Sequence, residues 1–215
     1  MRRPSCFALW LLSMVGLSLG GNHTMDSSSD LRDGDTLVSA EGRFKLGFFS
    51  AENSESRFLG IWYSTAPDTV VWVANRENPL NDSSGVLEFG DDGNVVLLDW
   101  SRTVFWSSNM SRTLRYPSLQ ILDSGNLVLG ESSSLGSGDY SWQSFDYPSD
   151  TILAGLRVGW DLRAGFERFL TSWKSVDDPT PGEYTYRYDL KGLPQAVIEK
   201  GSVRKYRSGP WNGVC

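Results

Sequence analysis

The chain has 215 residues, of which 40% are hydrophobic and 13% aromatic, and its formal net charge is −6. This composition is sufficient for a packed core and excludes a disordered chain. Because an acidic chain without a basic stripe repels phosphate backbones, we expect no nucleic acid partner. The length allows one domain of ordinary size and part of another.

The N-terminus has the layout of a secretory signal peptide. Two arginines precede an apolar run from Phe7 to Leu19, and small residues follow it, so Met1–Gly20 is predicted to be removed on export. The run is too short to span a bilayer comfortably, and a signal anchor is the alternative. No later stretch is apolar enough to cross a membrane, so we expect a soluble, secreted product.

The two cysteines cannot pair within the mature chain. Cys6 leaves with the leader, and Cys215 is the last residue. Stability is therefore expected to come from packing rather than from an internal disulfide. Cys215 either pairs with another chain or marks a point at which a longer protein continues.

Three Asn-x-Ser/Thr sequons without proline at the middle position predict N-glycosylation at Asn22, Asn81 and Asn109. Asn81 lies in a loop rich in Pro, Asn, Asp and Ser, where a glycan would be exposed. Asn22 is the weakest of the three because it lies next to the predicted cleavage site.

From Thr36 onward, short extended segments alternate with turn residues, which predicts an all-β domain. No stretch in this region has a sustained 3.6-residue apolar period. The predicted strands are Thr36–Ser39, Arg43–Phe49, Phe58–Tyr63, Val70–Asn75, Val86–Phe89, Val95–Asp99, Thr103–Ser107, Ser118–Leu122 and Leu127–Leu129.

An internal repeat indicates how these strands are organised. Asp91–Leu98 reads DDGNVVLL and Asp123–Leu129 reads DSGNLVL, and each follows an extended apolar run. Gly tolerates positive φ and Asn accepts it, so each polar centre is predicted to close a hairpin.

Trp72, Trp106 and Trp142 recur at similar intervals on β-rich stretches, with the hairpins between them. This spacing predicts three small sheets that each contribute one large ring to a shared core. The alternative is that a tryptophan-rich chain produces some regular spacing by chance.

The pattern changes after residue 145. Glu131–Asp139 is predicted to be a flexible polar loop, Asp177–Gly182 (DDPTPG) a strong turn, and Tyr184, Tyr186 and Tyr188 one face of a strand. We interpret 24–145 as the first β domain and 146–215 as the start of a second β module that is cut short.

These residues resemble the ectodomain of plant S-locus glycoproteins and G-type lectin S-receptor-like kinases, over nearly the whole mature chain. The resemblance implies a bulb-type (snowdrop-like) lectin domain with a β-prism fold, in which three four-stranded sheets surround a pseudo-threefold axis. The matching text is TLVS at 36–39, GRFKLGFFS at 42–50, LGIWY at 59–63, VWVANR at 71–76, DSGNLVL at 123–129, WQSFDYPSDT at 142–151, LTSWK at 170–174 and RSGPWNG at 207–213.

The resemblance also implies what is missing. Members of the family continue into cysteine-rich modules, and the receptors add a membrane helix and a kinase. No kinase activity is therefore expected of this chain, which we interpret as a secreted short form or a truncated gene model.

In mannose-binding members each sheet carries Gln-x-Asp-x-Asn-x-Val-x-Tyr, and the resemblance implies a degenerate carbohydrate site here. The central repeat keeps Asp92, Asn94 and Val96, with Gly90 and Leu98 in place of Gln and Tyr. The next repeat keeps only Asn126 and Val128, and the segment around Phe44–Phe49 has no trace of the motif.

Each lost hydrogen-bonding partner weakens a polar site by on the order of a kcal/mol. We therefore expect the first site to bind mannose weakly or not at all. The alternative role of Asp92, Gly93 and Asn94 is to close the hairpin without any ligand.

The sequence offers no candidate residues for enzyme catalysis. His23, the only histidine, lies next to the predicted leader, and no nucleophile, phosphate-loop or metal-ligand motif is present. Asp91–Asp92 and Asp177–Asp178 are explained by turns rather than by glycosidase carboxyls from apposed faces. We expect no catalytic residue, no cofactor and no metal.

Two binding functions remain. The first is secreted recognition of an extracellular protein or peptide, as in pollen recognition or receptor-like signalling; the second is a mannose-type lectin with one weak site. Expected partners are such a protein, a mannose-containing glycan, a second copy or a receptor ectodomain. The expected location is the apoplast, with the plasma membrane only as part of a longer receptor.

Overall fold

A computed structural model describes residues 23–51 and 54–210. The predicted signal peptide, the Asn22 sequon, Cys6 and Cys215 lie outside the described residues. Regular structure in the described part consists of β-strands and two 3-10 turns, Leu135–Ser137 and Ser144–Asp146. None of its helical segments is long and apolar enough to cross a membrane.

Residues 24–143 form three antiparallel sheets of four strands each. The N-terminal sheet has the order β3-β4-β5-β6, with β3 Thr36–Val38, β4 Phe44–Phe49, β5 Phe58–Tyr63 and β6 Ala66–Val73. The central sheet has the order β2-β7-β8-β9, with β2 Leu31–Arg32, β7 Val86–Phe89, β8 Val95–Leu98 and β9 Val104–Ser107. The third sheet has the order β1-β10-β11-β12, with β1 Thr24–Asp26, β10 Pro117–Ile121, β11 Leu127–Glu131 and β12 Trp142–Gln143.

This arrangement confirms the predicted all-β class and the three-sheet prism. Each strand predicted between 36 and 129 overlaps a strand of the structure, because alternating apolar residues and turn signals mark them locally. The edge strands β1, β2 and β12 were not predicted, since two or three residues are too short to show a period.

The three sheets share one apolar core. Side chains that point inward from all three are buried to 1% exposure or less, among them Leu46, Ile61, Leu87, Leu97, Leu119, Ile121 and Leu129. Trp72, Trp106 and Trp142 contact one another edge to face, with ring centroids 5.6–6.1 Å apart. Such aromatic pairs add about 0.5–1.5 kcal/mol each beyond the area they bury.

The chain then returns along the prism before it forms further strands. Trp72 Nε1 donates to Tyr147 O at 2.8 Å, and Val73 N donates to Ser149 Oγ at 2.9 Å. Leu153 is buried within the prism core. The segment from Tyr147 to Leu153 therefore stabilises the N-terminal sheet although it follows the last prism strand.

Two smaller sheets follow. A hairpin contains β13 Gly159–Asp161 and β14 Phe166–Arg168, and a four-stranded sheet has the order β15-β16-β17-β18, with β15 Leu170–Ser175, β16 Asp178–Asp189, β17 Gln195–Lys200 and β18 Val203–Arg207. The turn predicted at Asp177–Gly182 is wrong beyond Asp177, because Asp178 already begins β16. Register shifts between β15 and β16 accommodate the prolines, which cannot donate in a regular ladder.

Arg76 joins the prism to this four-stranded sheet. Its buried guanidinium donates to the backbone carbonyls of Thr171 at 2.9 Å, Ser172 at 2.6 Å and Pro179 at 2.6 Å. These carbonyls lie at the irregular β15–β16 pairing. Burial lowers the pKa of Arg76, but a guanidinium stays charged in proteins, so one cation satisfies three acceptors.

Candidate functional site

Strand register identifies the equivalent positions in the three sheets. Each core tryptophan pairs with an apolar residue of the preceding strand: Trp72 with Ile61, Trp106 with Leu97, and Trp142 with Leu129. The positions three residues before these partners are Phe58, Asn94 and Asn126. The two motif asparagines therefore occupy matching places in the central and third sheets, and Phe58 takes that place in the N-terminal sheet.

The Asn94 side chain is buried, and its hydrogen bonds are made within the chain. Its Oδ1 accepts from Ser108 Oγ at 2.8 Å and from Met110 N at 2.7 Å. Its Nδ2 donates to Asp92 Oδ2 at 2.7 Å and to Met110 O at 3.4 Å. Because a primary amide offers two donors and two lone pairs on its oxygen, Asn94 has little capacity left for a sugar hydroxyl.

Asp92 is the exposed member of the central motif. Its Oδ1 accepts from Asn94 N at 2.9 Å. The side-chain and backbone hydrogen bonds from Asn94 hold the pKa of Asp92 below its usual value. A carboxylate with two such bonds retains free lone pairs, so Asp92 is the motif side chain that is able to accept a ligand hydroxyl.

An ion pair between Arg102 and Glu88 occupies part of the neighbouring face of the central sheet. Val96 is half-buried and pairs across the sheet with Glu88. Arg102 donates to both Glu88 oxygens, at 2.8 and 2.6 Å. Gly90 and the buried Leu98 stand where the mannose motif has its Gln and Tyr. The polar groups that would orient a sugar are thus reduced to Asp92.

The third sheet repeats the asparagine arrangement without an open site. Asn126 Oδ1 accepts from Ser144 Oγ at 3.1 Å and from Phe145 N at 3.2 Å, and its Nδ2 donates to Gln143 Oε1 at 2.9 Å. Asn126 is only 5% exposed.

The motif valine of this sheet is covered as well. Val128 is 0% exposed, and it shares a sheet face with Gly130, because alternate residues of a strand point the same way. A Cβ on Gly130 would lie 3.3 Å from Leu135 Cδ2. The segment predicted as a flexible polar loop thus contains a 3-10 turn that places the buried Leu135 over the face that carries Val128.

The N-terminal sheet replaces the polar site with aromatic packing. Phe58 is 1% exposed and its ring packs against that of Phe49, which in turn contacts Trp62 edge to face. A Cβ on Gly60 would lie 2.6 Å from Phe49 Cε1, so the Phe49 ring covers the strand there. No residue of this strand could bind a sugar in the manner of the motif.

Two serines that the sequence analysis missed complete the asparagine networks. Ser108 Oγ accepts from Val95 N at 3.1 Å, and Ser144 Oγ accepts from Leu127 N at 2.9 Å. Each lies two residues after a core tryptophan, so the repeated Trp-x-Ser was the available signal. In the N-terminal sheet Asn75 Oδ1 takes over this role and accepts from Leu59 N at 2.9 Å.

A cleft of about 580 Å³ lies where the prism faces the second set of sheets. All three core tryptophans line it, and Trp106 is half-buried. Its other aromatic lining residues are Phe105, Tyr147 and Phe169.

Of the predicted glycosylation sites, Asn81 and Asn109 are exposed, and Asn109 also lines the cleft. Within residues 23–51 and 54–210, no three His, Cys, Asp or Glu side chains are grouped as metal ligands.

Comparison with known proteins identifies one matching family and several plant relatives. The D-mannose binding lectin family matches residues 69–174. An S-locus-specific glycoprotein, S6 of Brassica oleracea, is 44% identical over 197 residues, which cover 89% of this chain and 45% of that protein. A receptor-like serine/threonine-protein kinase, SD1-8 of Arabidopsis thaliana, is 40% identical over 213 residues, which cover 97% of this chain and 25% of that protein.

The chain thus spans less than half the length of these curated relatives. Among solved structures, the mannose-specific agglutinin of snowdrop (Galanthus nivalis) is 21% identical with a TM-score of 0.41, covering 52% of this chain and 91% of that one. Residues 69–174 match the D-mannose binding lectin family, and most of the chain is similar to plant S-locus glycoproteins and G-type lectin S-receptor-like kinases.

Proposed function

We propose that the chain is an extracellular recognition module that binds a protein or peptide rather than mannose. The observation that carries this proposal is that the motif asparagines, Asn94 and Asn126, make their hydrogen bonds within the chain. Leu135 and Phe58 further support it, because the first packs over one candidate site and the second fills the position of another. The relationship to S-locus glycoproteins and receptor kinases agrees with a role in recognition.

The experiment uses the secreted chain as an immobilised bait and plant extracellular fluid as the probe. The fluid is divided into untreated, protease-treated and endoglycosidase-treated portions, and saturable binding is measured by biosensor. We expect the signal to disappear after proteolysis and to survive deglycosylation. A signal that survives proteolysis, disappears after deglycosylation and competes with methyl α-mannoside would contradict the proposal.

A weak mannose site in the central sheet is the second candidate. The exposed Asp92 carboxylate and the half-buried Val96 favour it, because they leave one acceptor beside an apolar contact. An Asp92→Ala variant would remove that acceptor. If the site exists, the unmodified chain is retained on mannan-agarose and eluted by mannoside, and the variant is not retained. We expect instead that the unmodified chain shows no retention that mannoside reverses.

We infer that the chain acts outside the cell and is not an enzyme. The predicted signal peptide and the relationship to S-locus glycoproteins support export. Some relatives are named kinases, but the chain matches only about a quarter of the length of such a protein. A second copy or a receptor ectodomain is a further candidate partner. Light scattering of the secreted chain measures its molar mass and so tests whether two copies associate.

We also propose the division into a lectin domain at 24–145 and a second module from 146. Arg76 and Ser149 indicate that the two parts are packed together, since each makes a hydrogen bond across the proposed boundary. A fragment ending at 145 would lose Ser149 and Leu153 from the prism, whereas one ending at 156 keeps them. We expect the shorter fragment to melt at a lower temperature, and equal melting temperatures would show that these contacts do not stabilise the prism.

A further inference from the structure

The aromatic cleft has a feature that the proposed recognition function does not use. Its wall includes Phe105 and Trp106, which are both half-buried, and Asn109 follows them on the same stretch of chain. A volume of about 580 Å³ lies within the range of about 300–1,000 Å³ that is typical of small-molecule sites.

The chain holds Asn109 in a fixed position at this cleft. Asn94 Oδ1 accepts from both of its neighbours, Ser108 Oγ and Met110 N, and Asn109 N donates to Ser107 Oγ at 3.1 Å. Asn109 adopts φ +49°, a conformation that asparagine tolerates better than most residues. Its side chain is exposed and makes no hydrogen bond to any described residue.

Asn109 also begins an Asn-Met-Ser sequon, in which Ser111 is exposed. Attachment of a glycan joins Asn109 Nδ2 to C1 of the first N-acetylglucosamine of a lipid diphosphate oligosaccharide. The bond from C1 to the diphosphate oxygen breaks, and the lipid diphosphate leaves with the amide proton. The reaction therefore needs only the donor that the secretory pathway supplies.

We propose that a glycan on Asn109 of this same chain occupies the cleft, where its first sugars cover Phe105 and Trp106. Sugar rings have apolar C–H faces that pack on aromatic rings, and aromatic side chains at such a surface gain by leaving water. Occupancy of Asn109 would thereby decide whether the cleft is open or closed. This inference goes beyond the proposed function, and it depends on export through the secretory pathway.

The test compares variants of the full chain secreted from plant cells. Ser111→Ala removes the sequon but keeps Asn109, Ser111→Thr preserves the sequon, and Asn81→Gln removes the other exposed sequon as a matched control. Glycopeptide mass spectrometry measures occupancy, and hydroxyl-radical footprinting measures the accessibility of Phe105 and Trp106. Enzymatic deglycosylation of the unmodified chain provides a second route to the open cleft.

We expect Asn109 to be occupied, and labelling of Phe105 and Trp106 to rise several-fold in Ser111→Ala and after deglycosylation. Ser111→Thr and Asn81→Gln should label like the unmodified chain. A bare Asn109 on the secreted chain would overturn the inference and leave the proposed export standing, whereas absence of the chain from the secreted fraction would overturn both. Equal labelling with and without the Asn109 glycan would also overturn it.

Discussion

Replacement of Asn94 by alanine tests whether the motif asparagine stabilises the fold. In the variant, Ser108 Oγ and Met110 N lose the acceptor to which they donate at 2.8 and 2.7 Å. Asp92 also loses the donor that reaches it at 2.7 Å. A buried donor left without a partner costs about 1–3 kcal/mol.

Met110 as a residue is only half-buried, so we expect a total loss of about 2–4 kcal/mol in the free energy of unfolding. In a chain of this size each kcal/mol lowers the melting temperature by about 2–4 °C. The melting temperature should therefore fall by about 4–16 °C. Urea denaturation followed by circular dichroism measures the free energy, and a thermal scan measures the temperature.

Asn78→Ala is the matched control. Asn78 is exposed, and its amide donates one long hydrogen bond of 3.3 Å to Phe105 O. We expect its effect to stay within about 0.5 kcal/mol. If Asn94→Ala were as stable as this control, Asn94 would have no structural role, and the proposal that the chain does not bind mannose would lose its main support.

Three other predictions concern separate parts of the molecule. Arg76→Met leaves three backbone carbonyls without a donor, so hydrogen exchange should accelerate in residues 170–181 while the central sheet keeps its protection; uniform protection would contradict this. Leu135→Ala uncovers the third sheet and should cost about 2 kcal/mol in urea denaturation, whereas no change would show that the turn does not pack there. Because the pKa of Asp92 is lowered in the folded chain, its charge stabilises the fold fully above the unfolded-state pKa of about 3.9. This stabilisation is lost as the pH falls through the folded-state pKa. The difference in melting temperature between the unmodified chain and Asp92→Ala should thus be largest near neutral pH and should shrink as the pH falls below about 3.9; a difference that does not change with pH would refute the assignment.

The strands and the threefold organisation could be predicted from the sequence because their signals are local. Apolar residues mark β4, β5, β7 and β8, and Asp-x-Gly-Asn marks the turns between β7 and β8 and between β10 and β11. The recurring tryptophans added a long-range constraint, since three large rings at similar spacing need a common place to pack. These signals were enough to predict three sheets around a shared core, and the resemblance to bulb-type lectins implied that they form a prism of four-stranded sheets.

Other features depend on contacts between distant parts of the chain. The acceptors of Arg76 lie 95 to 103 residues away, and no local pattern indicates them. Leu135 is surrounded by serine and glycine, which predicted an exposed loop, yet one apolar side chain was enough to bury the turn. The prolines after Asp177 predicted a turn, but register shifts in the β15–β16 pairing admit them to a strand.

The candidate site shows the same limit. The sequence identified Asp92, Asn94 and Val96 as the surviving motif, and it left open whether they bind sugar or close a hairpin. That choice depends on Ser108 and Met110, whose approach to Asn94 requires β9 to lie beside β8. Their partnership could therefore not be derived from the motif alone.

Calorimetric titration of the secreted chain with methyl α-D-mannoside and a mannose-rich oligosaccharide tests the central claim most directly. Because the asparagine amides are already bonded and the flanking Gln and Tyr positions hold Gly90 and Leu98, we predict no saturable heat of binding. Saturable binding at micromolar affinity, lost in an Asn94→Ala variant that is still folded, would contradict the claim.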